Sequence, residues 1–182
     1  MIKLKLIIVL LFVSTATFAQ FGLGIKGGLN FANLNIDDAN NRTGFHFGAF
    51  AHVPISKNIG IQPEVLFSSQ GAEISDTKVN LNYVNVPILL RLKLIEVLNV
   101  HFGPQFGFAT KAEEDGEDIL DNIKNSDFSL AFGAGLNLPL GLEAGARYNL
   151  GVSKISDSGV TFEGAKQRVF QIYVAWRLLG RG

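Results

Sequence analysis

The sequence predicts an all-β fold, an eight-stranded antiparallel up-and-down transmembrane β-barrel, behind a short secretory leader. Three observations carry that expectation. Apolar and small or polar residues alternate with period two in eight separate segments. The connections between those segments alternate between short and long. The polar face of each segment is built mainly from Gly, Asn, Gln and Ser, with few charges.

The leader comes first. Lys3 and Lys5 form a positive start, Leu6 to Val13 is an unbroken apolar run, and Thr17-Phe18-Ala19 offers small residues where a signal peptidase reads. The apolar run is too short to span a bilayer comfortably as a helix, which takes about 20 residues. The expectation is a signal peptide over residues 1–19 and a barrel domain over residues 20–182. Cleavage would remove two of the 16 basic residues, leaving 14 against 16 acidic ones, a net charge of −2.

The eight strands follow in order. The first, 21–33, sets Phe21, Leu23, Ile25, Leu29 and Phe31 against Gly22, Gly24, Lys26, Gly28 and Asn30. The second, 43–53, sets Phe45, Phe47 and Val53 against Gly44, His46, Gly48, Phe50 and His52. The third, 59–70, sets Ile59, Ile61, Val65 and Phe67 against Gln62, Glu64 and Ser68. The fourth, 81–93, sets Val84, Val86, Ile88, Leu90 and Leu92 against Tyr83, Asn85, Arg91 and Lys93. In the fifth, 99–111, Val100, Phe102, Phe106 and Phe108 oppose His101, Gly103 and Gln105. The sixth, 127–138, opposes Phe128, Leu130, Phe132 and Leu136 to Asp127, Ser129, Gly133 and Asn137. The seventh, 142–153, opposes Leu142, Tyr148 and Leu150 to Glu143, Gly145, Arg147 and Asn149. The eighth, 167–178, opposes Phe170, Ile172, Val174 and Trp176 to Gln171, Tyr173 and Arg177.

Strands of about eleven residues suit a tilted crossing of a bilayer. Residues 54–58, 94–98 and 139–141 are the short turns, expected at the periplasm. Residues 34–42, 71–80, 112–126 and 154–166 are the longer polar loops, expected at the cell surface and the natural places for protein partners. An even strand number lets the sheet close and removes its edges.

Alternation alone also fits a soluble barrel with an apolar interior. Such a barrel would show water a face rich in Lys and Glu. Here the polar face is small and weakly charged, which suits the cramped bore of eight strands, and the greasy face suits lipid. The expected location is the outer membrane of a Gram-negative cell, with lipid as the first partner. Phe21, Phe31, Phe45, Phe67, Phe108, Phe128 and Trp176 lie near strand ends and are candidates for interfacial girdles or for plain lipid-facing bulk.

Composition narrows the functions. Apolar residues make up 47% and charged residues 18%, which excludes a disordered chain. The formal charge of zero argues against a nucleic-acid partner held by phosphate contacts. Cys is absent, so disulfides, thiolate metal sites, Cys nucleophiles and a lipoprotein anchor are excluded.

Gly22-Leu-Gly-Ile-Lys-Gly-Gly-Leu-Asn-Phe31, Ile61-Gln-Pro-Glu-Val-Leu-Phe67, Tyr83-Val-Asn-Val-Pro87, Gly103-Pro-Gln-Phe-Gly107, Gly133-Ala-Gly135 and Gly145-Ala-Arg-Tyr-Asn-Leu-Gly151 together resemble the PorT-like outer-membrane β-barrel family. The resemblance covers nearly the whole chain after the leader. It implies fold and location, and a link to a secretion machine through the family's namesake. The chain departs from the pattern at Asn85, where an acidic residue is expected, and in ending Leu-Leu-Gly-Arg-Gly rather than on an aromatic residue.

No catalytic, cofactor or metal site is expected. A Ser–His hydrolase needs a histidine able to activate a serine, with an acid behind it. His46, His52 and His101 and Ser68, Ser129 and Ser153 are present, with Glu143, but no strand carries His-x-Ser. The acidic loop holds Glu113, Glu114, Asp115, Glu117, Asp118 and Asp121; a calcium-loop register centred on Gly116 would begin at Lys111 and end at Asn122, so it fails. Five interior charges remain: Lys26, Glu64, Arg91, Glu143 and Arg147. Lys26, Glu64 and Arg147 each stand five residues after the periplasmic start of an upward strand, with Glu143 nearer the rim, and Arg91 and Lys93 below. Burial without pairing would be costly, so pairing is expected. An internal plug is the structural reading and a proton or ion path the functional one. Four roles stay open: structural or surface-interaction protein, accessory of a secretion or assembly machine, lipid-modifying enzyme, and narrow pore.

Overall fold

The structure, a computed structural model, describes residues 21–34, 39–74, 77–114, 117–118, 126–152 and 167–180. Eight long strands make the wall: β1 Gly22–Leu34, β2 Ala39–Pro54, β3 Ile59–Ile74, β4 Thr77–Ile95, β5 Leu98–Glu114, β6 Ser126–Asn137, β7 Leu142–Gly151 and β8 Gln167–Leu179. A two-residue strand, Glu117–Asp118, extends the outer end of β5. Each long strand pairs antiparallel with its sequence neighbours, and β1 pairs with β8, so the sheet is closed.

The register fixes the tilt. Gly24 faces Phe50 and Phe50 faces Glu64. Continuing partner by partner through β4 to β8 leads to Gln167, which faces Leu34 on the first strand. One circuit thus climbs from position 24 to position 34 of β1. That stagger in eight strands requires the strands to lean by about 35–45° from the barrel axis and leaves a bore only wide enough for side chains.

The alternation sorts the two faces as lipid requires. Ile25, Phe47, Val65, Phe102, Phe132 and Val174 are exposed on the outer wall. Phe50, Leu66, Tyr83, Leu89, Ala131, Val169 and Tyr173 are buried in the bore, among Lys26, His46, Gln62, Glu64, Arg91, His101, Glu143 and Arg147. Glycines make this filling possible. A Cβ on Gly48 would lie 2.0 Å from the Val65 carbonyl oxygen, and one on Gly24 would lie 2.4 Å from the Phe50 ring. On the outer wall Phe45, Phe47 and Phe67 form one contact group, with Phe31–Phe170 and Phe106–Phe128 as pairs. The proposed girdle residues thus pack partly with each other and with Phe47, Phe106 and Phe170.

The strand limits correct the expectation at the outer end. The sequence pattern predicts loops over residues 34–42, 71–80 and 112–126, but β2 begins at Ala39, β3 runs to Ile74, β4 starts at Thr77, and β5 runs to Glu114. Alternation of apolarity is needed only where one face meets lipid. Beyond it, water can contact both faces, and the backbone ladder still satisfies the polar main chain. The fourth connection, 154–166, lies outside the described residues. At the short-turn end, the β4–β5 turn tightens to Glu96 and Val97, rather than 94–98. The Pro139–Gly141 turn is a single 3-10 turn in which Leu140 and Gly141 take positive φ, 63° and 77°. The Leu140 carbonyl there accepts a 3.1 Å hydrogen bond from Trp176 Nε1.

Candidate functional site in the barrel bore

The bore is crossed by two linked polar clusters. In the first, Glu64 on β3 reaches across to Arg147 on β7. Arg147 Nη1 donates to Oε2 and Nη2 to Oε1, both at 2.8 Å. Gln62 Nε2 also donates to Glu64 Oε1 at 2.8 Å. Lys26 on β1 stands 3.5 Å from the same oxygen. Its Nζ lies 3.6 Å from the centre of the Tyr173 ring, over the face that attracts cations. Arg147 Nε donates to His101 Nε2 at 3.3 Å.

The second cluster lies toward the short-turn end of the bore. Arg91 on β4 pairs with Glu143 on β7. It also donates from Nη1 to Gln62 Oε1 at 3.0 Å and from Nη2 to Asn137 Oδ1 at 2.8 Å. The Tyr173 hydroxyl donates to Glu143 Oε1 at 2.7 Å. Gln62 and Tyr173 therefore join the clusters: each touches one carboxylate or cation from both groups. Burying Glu64, Glu143, Arg91 and Arg147 in a narrow bore is tolerable because every carboxylate oxygen has a donor and each guanidinium is forked onto acceptors; the fifth charge, Lys26, is offset by the Glu64 carboxylate and the Tyr173 ring without a hydrogen bond.

Above them a neutral cluster gathers on Asn30. Its Nδ2 donates to Phe45 O, Ser68 Oγ and Ser69 O at 2.9–3.0 Å. Its Oδ1 accepts from Gln171 Nε2 and meets His46 Nδ1, both at 2.8 Å. His46 and Ser68 thus share Asn30 as a neighbour. Among the described residues no His–Ser hydrogen bond is present, and Glu143 is committed to Arg91 and Tyr173. No cluster of three potential metal ligands occurs among the described residues. Of the acidic loop, Glu113 pairs with Asp118 and Glu114 with Glu117 along the backbone; Asp115, Gly116 and Asp121 lie outside the described residues.

The structure therefore brings Lys26, Glu64 and Arg147 together and Arg91 and Glu143 together. Lys93 joins neither group. Tyr173, Gln62, His101 and Asn137 were not assigned to the network from sequence. The signal was present: Gln62 and Glu64 share a strand face, and Tyr173 faces inward by the alternation of β8.

The family model described as outer membrane protein beta-barrel domain matches residues 6–177. The chain belongs to this family. Its members sit in the outer membrane, which gives the apolar wall its solvent. Among solved structures, the chain resembles Ail, the attachment invasion locus protein of Yersinia pestis, at 18% identity and a TM-score of 0.53. That match covers 87% of this chain and 99% of Ail. Neisserial surface protein A (NspA) matches at 14% identity and a TM-score of 0.55, over 87% of this chain and 97% of that one. A second Ail structure, in complex with the heparin analogue sucrose octasulfate, matches at 18% identity and a TM-score of 0.52, over 87% of this chain and 99% of that one. These likenesses establish the shared barrel fold. No curated protein shows significant similarity to the chain.

Proposed function

We propose that this outer-membrane barrel is filled and non-conducting and serves a structural or surface-interaction role through its outer hairpins. The observation that supports it best is the bidentate Arg147–Glu64 bridge, which joins β7 to β3 across the bore. Lys26, Gln62, Tyr173 and the Arg91–Glu143 pair fill the space around it. A hydrated solute would have to break several charge-assisted hydrogen bonds to pass. The extended outer ends of β2 to β5 carry polar backbone ladders beyond the lipid and present a platform for partners. The test is single-channel recording of purified monomer in planar bilayers. No stable open level is expected; reproducible nanosiemens-scale steps would restore the pore reading.

The segments that resemble the PorT-like family, including Ile61 to Phe67 and Gly145 to Gly151, favour a second reading, an accessory of a secretion or assembly machine. Pull-down from intact outer membranes separates the two. A stable, stoichiometric assembly of envelope proteins would support the machine, and recovery of the barrel alone would support display.

A further inference from the structure

Below the Arg91–Glu143 pair the bore opens to the periplasm as a blind cup of about 690 Å³. That lies in the range of small-molecule sites, about 300–1,000 Å³. Its closed end is the salt-bridged floor already described, and its mouth is ringed by the three short turns. The lining is unevenly charged. Lys57, Lys93 and Arg177 face the cup together with Arg91, against Glu143 and the exposed Glu96. Glu143 is already neutralised by Arg91. Lys57, Lys93 and Arg177 carry no ion pair among the described residues.

Two of the lining residues carry a polar atom that is buried behind the cup surface without a hydrogen-bond partner among the described residues, Arg177 Nε and His52 Nδ1, so neither side chain is tied to another protein group through that atom. Glycines give both side chains their space. A Cβ on Gly22 would press on Arg177 Cδ at 3.2 Å, and one on Gly60 would meet His52 Cε1 at 2.6 Å. Arg177 stands on β8 and Lys93 on β4, four strands apart on opposite walls of an eight-stranded ring. Two cations on opposite walls of one concave cup attract a multiply charged anion more strongly than a single charge, and field lines concentrate in such a cleft. Arg matches the oxygens of a phosphoryl group with its planar fork, and Lys adds a point charge.

We infer that this periplasmic cup binds a phosphate-class oxyanion, held between Arg177 and Lys93. The phosphoryl group can come from a soluble phosphate ester of the periplasm or from the headgroup of an inner-leaflet lipid, because the mouth lies at that level. The inference rests on the sealed floor for the cup's shape; binding and conductance are nonetheless separate readouts, so either can fail alone.

The test is isothermal titration of the full refolded chain in maltoside micelles, which contain no phosphate. One arm uses glycerol 3-phosphate and the other short-chain phosphatidic acid. Saturable binding in at least one arm is expected, weakened about tenfold or more by Arg177→Gln and by Lys93→Gln, as loss of a charge-assisted contact implies. Lys111→Gln, at the outer end of β5, should bind as wild type does. Variant-sensitive binding in the lipid arm alone would assign the headgroup as the source. Should Arg177→Gln fail to refold, Arg177→Lys keeps the charge without the fork and should bind more weakly than wild type. Absence of saturable binding in both arms, or equal affinity in wild type and Lys93→Gln, overturns the site.

Discussion

Replacing Glu64 by alanine should be among the most destabilising single changes in the bore. Its side chain is fully buried and accepts three hydrogen bonds of 2.8 Å, two from Arg147 and one from Gln62. Without it, among the described residues Arg147 keeps the 3.3 Å bond to His101 and a 5.8 Å approach to the Tyr173 ring, and Lys26 keeps the face of that same ring. Breaking a buried pair from one side typically costs about 3–5 kcal/mol, because the abandoned charge stays desolvated. Lys26→Met makes the contrast. Lys26 Nζ has no hydrogen-bond partner among the described residues, and Glu64 stays forked onto Arg147 without it. That variant should therefore fall within about 1 kcal/mol of wild type. In the double variant, removal of one of two stranded cations should recover about 1–2 kcal/mol, a coupling that two independent sites would not show. The assay is reversible urea unfolding in lipid vesicles, with stability read by linear extrapolation. Trp176, the only tryptophan, faces lipid and reports the transition. A Glu64→Ala barrel within about 1 kcal/mol of wild type, or a Lys26→Met loss as large as that of Glu64→Ala, would refute the bidentate bridge as the main tie.

Other outcomes follow from the same geometry. Tyr173→Phe removes the 2.7 Å bond to Glu143 and should lower stability by about 1.5 kcal/mol in the same urea assay, with no change in gel mobility. Gly48→Ala forces a methyl toward the Val65 carbonyl and should cost about 1–3 kcal/mol, read as a lower urea midpoint; a neutral result would mean that β2 and β3 shift apart freely. The closed sheet should resist detergent until boiled, so unboiled and boiled samples should migrate differently on gels; identical mobility would argue against closure. Intact mass of protein from the outer membrane should correspond to a chain beginning at Gln20, and retention of residues 1–19 would remove the signal-peptide reading.

The sequence by itself determined the two faces of the barrel. Alternation has a period of two, so Glu64, Gln62 and Lys26 are assigned inward and Val65, Ile61 and Ile25 outward without knowledge of any partner. Two of the short turns were legible from punctuation instead: Pro54 closes β2 ahead of one, and Pro139 and Gly141 bracket another, while the tight Glu96–Val97 turn carries no such residue. The outer strand ends were not, because Asn40-Asn41-Arg42 and residues 71–74 do not carry a simple lipid-facing alternation, and ladder hydrogen bonds leave no mark on residue type. Which inward charges meet was decided only in three dimensions. The circuit from Gly24 to Leu34 sets how far each strand slides against the next, and a slide of two residues would preserve every face while changing every cross-bore partner. That slide forks Arg147 onto Glu64, pairs Arg91 with Glu143, and inserts Tyr173 between the two clusters. It also leaves Lys93 and Arg177 below the floor, without an ion pair among the described residues and lining the cup at the short-turn end. Register is a sum of small backbone and packing terms over the whole ring, so no local stretch of sequence encodes it.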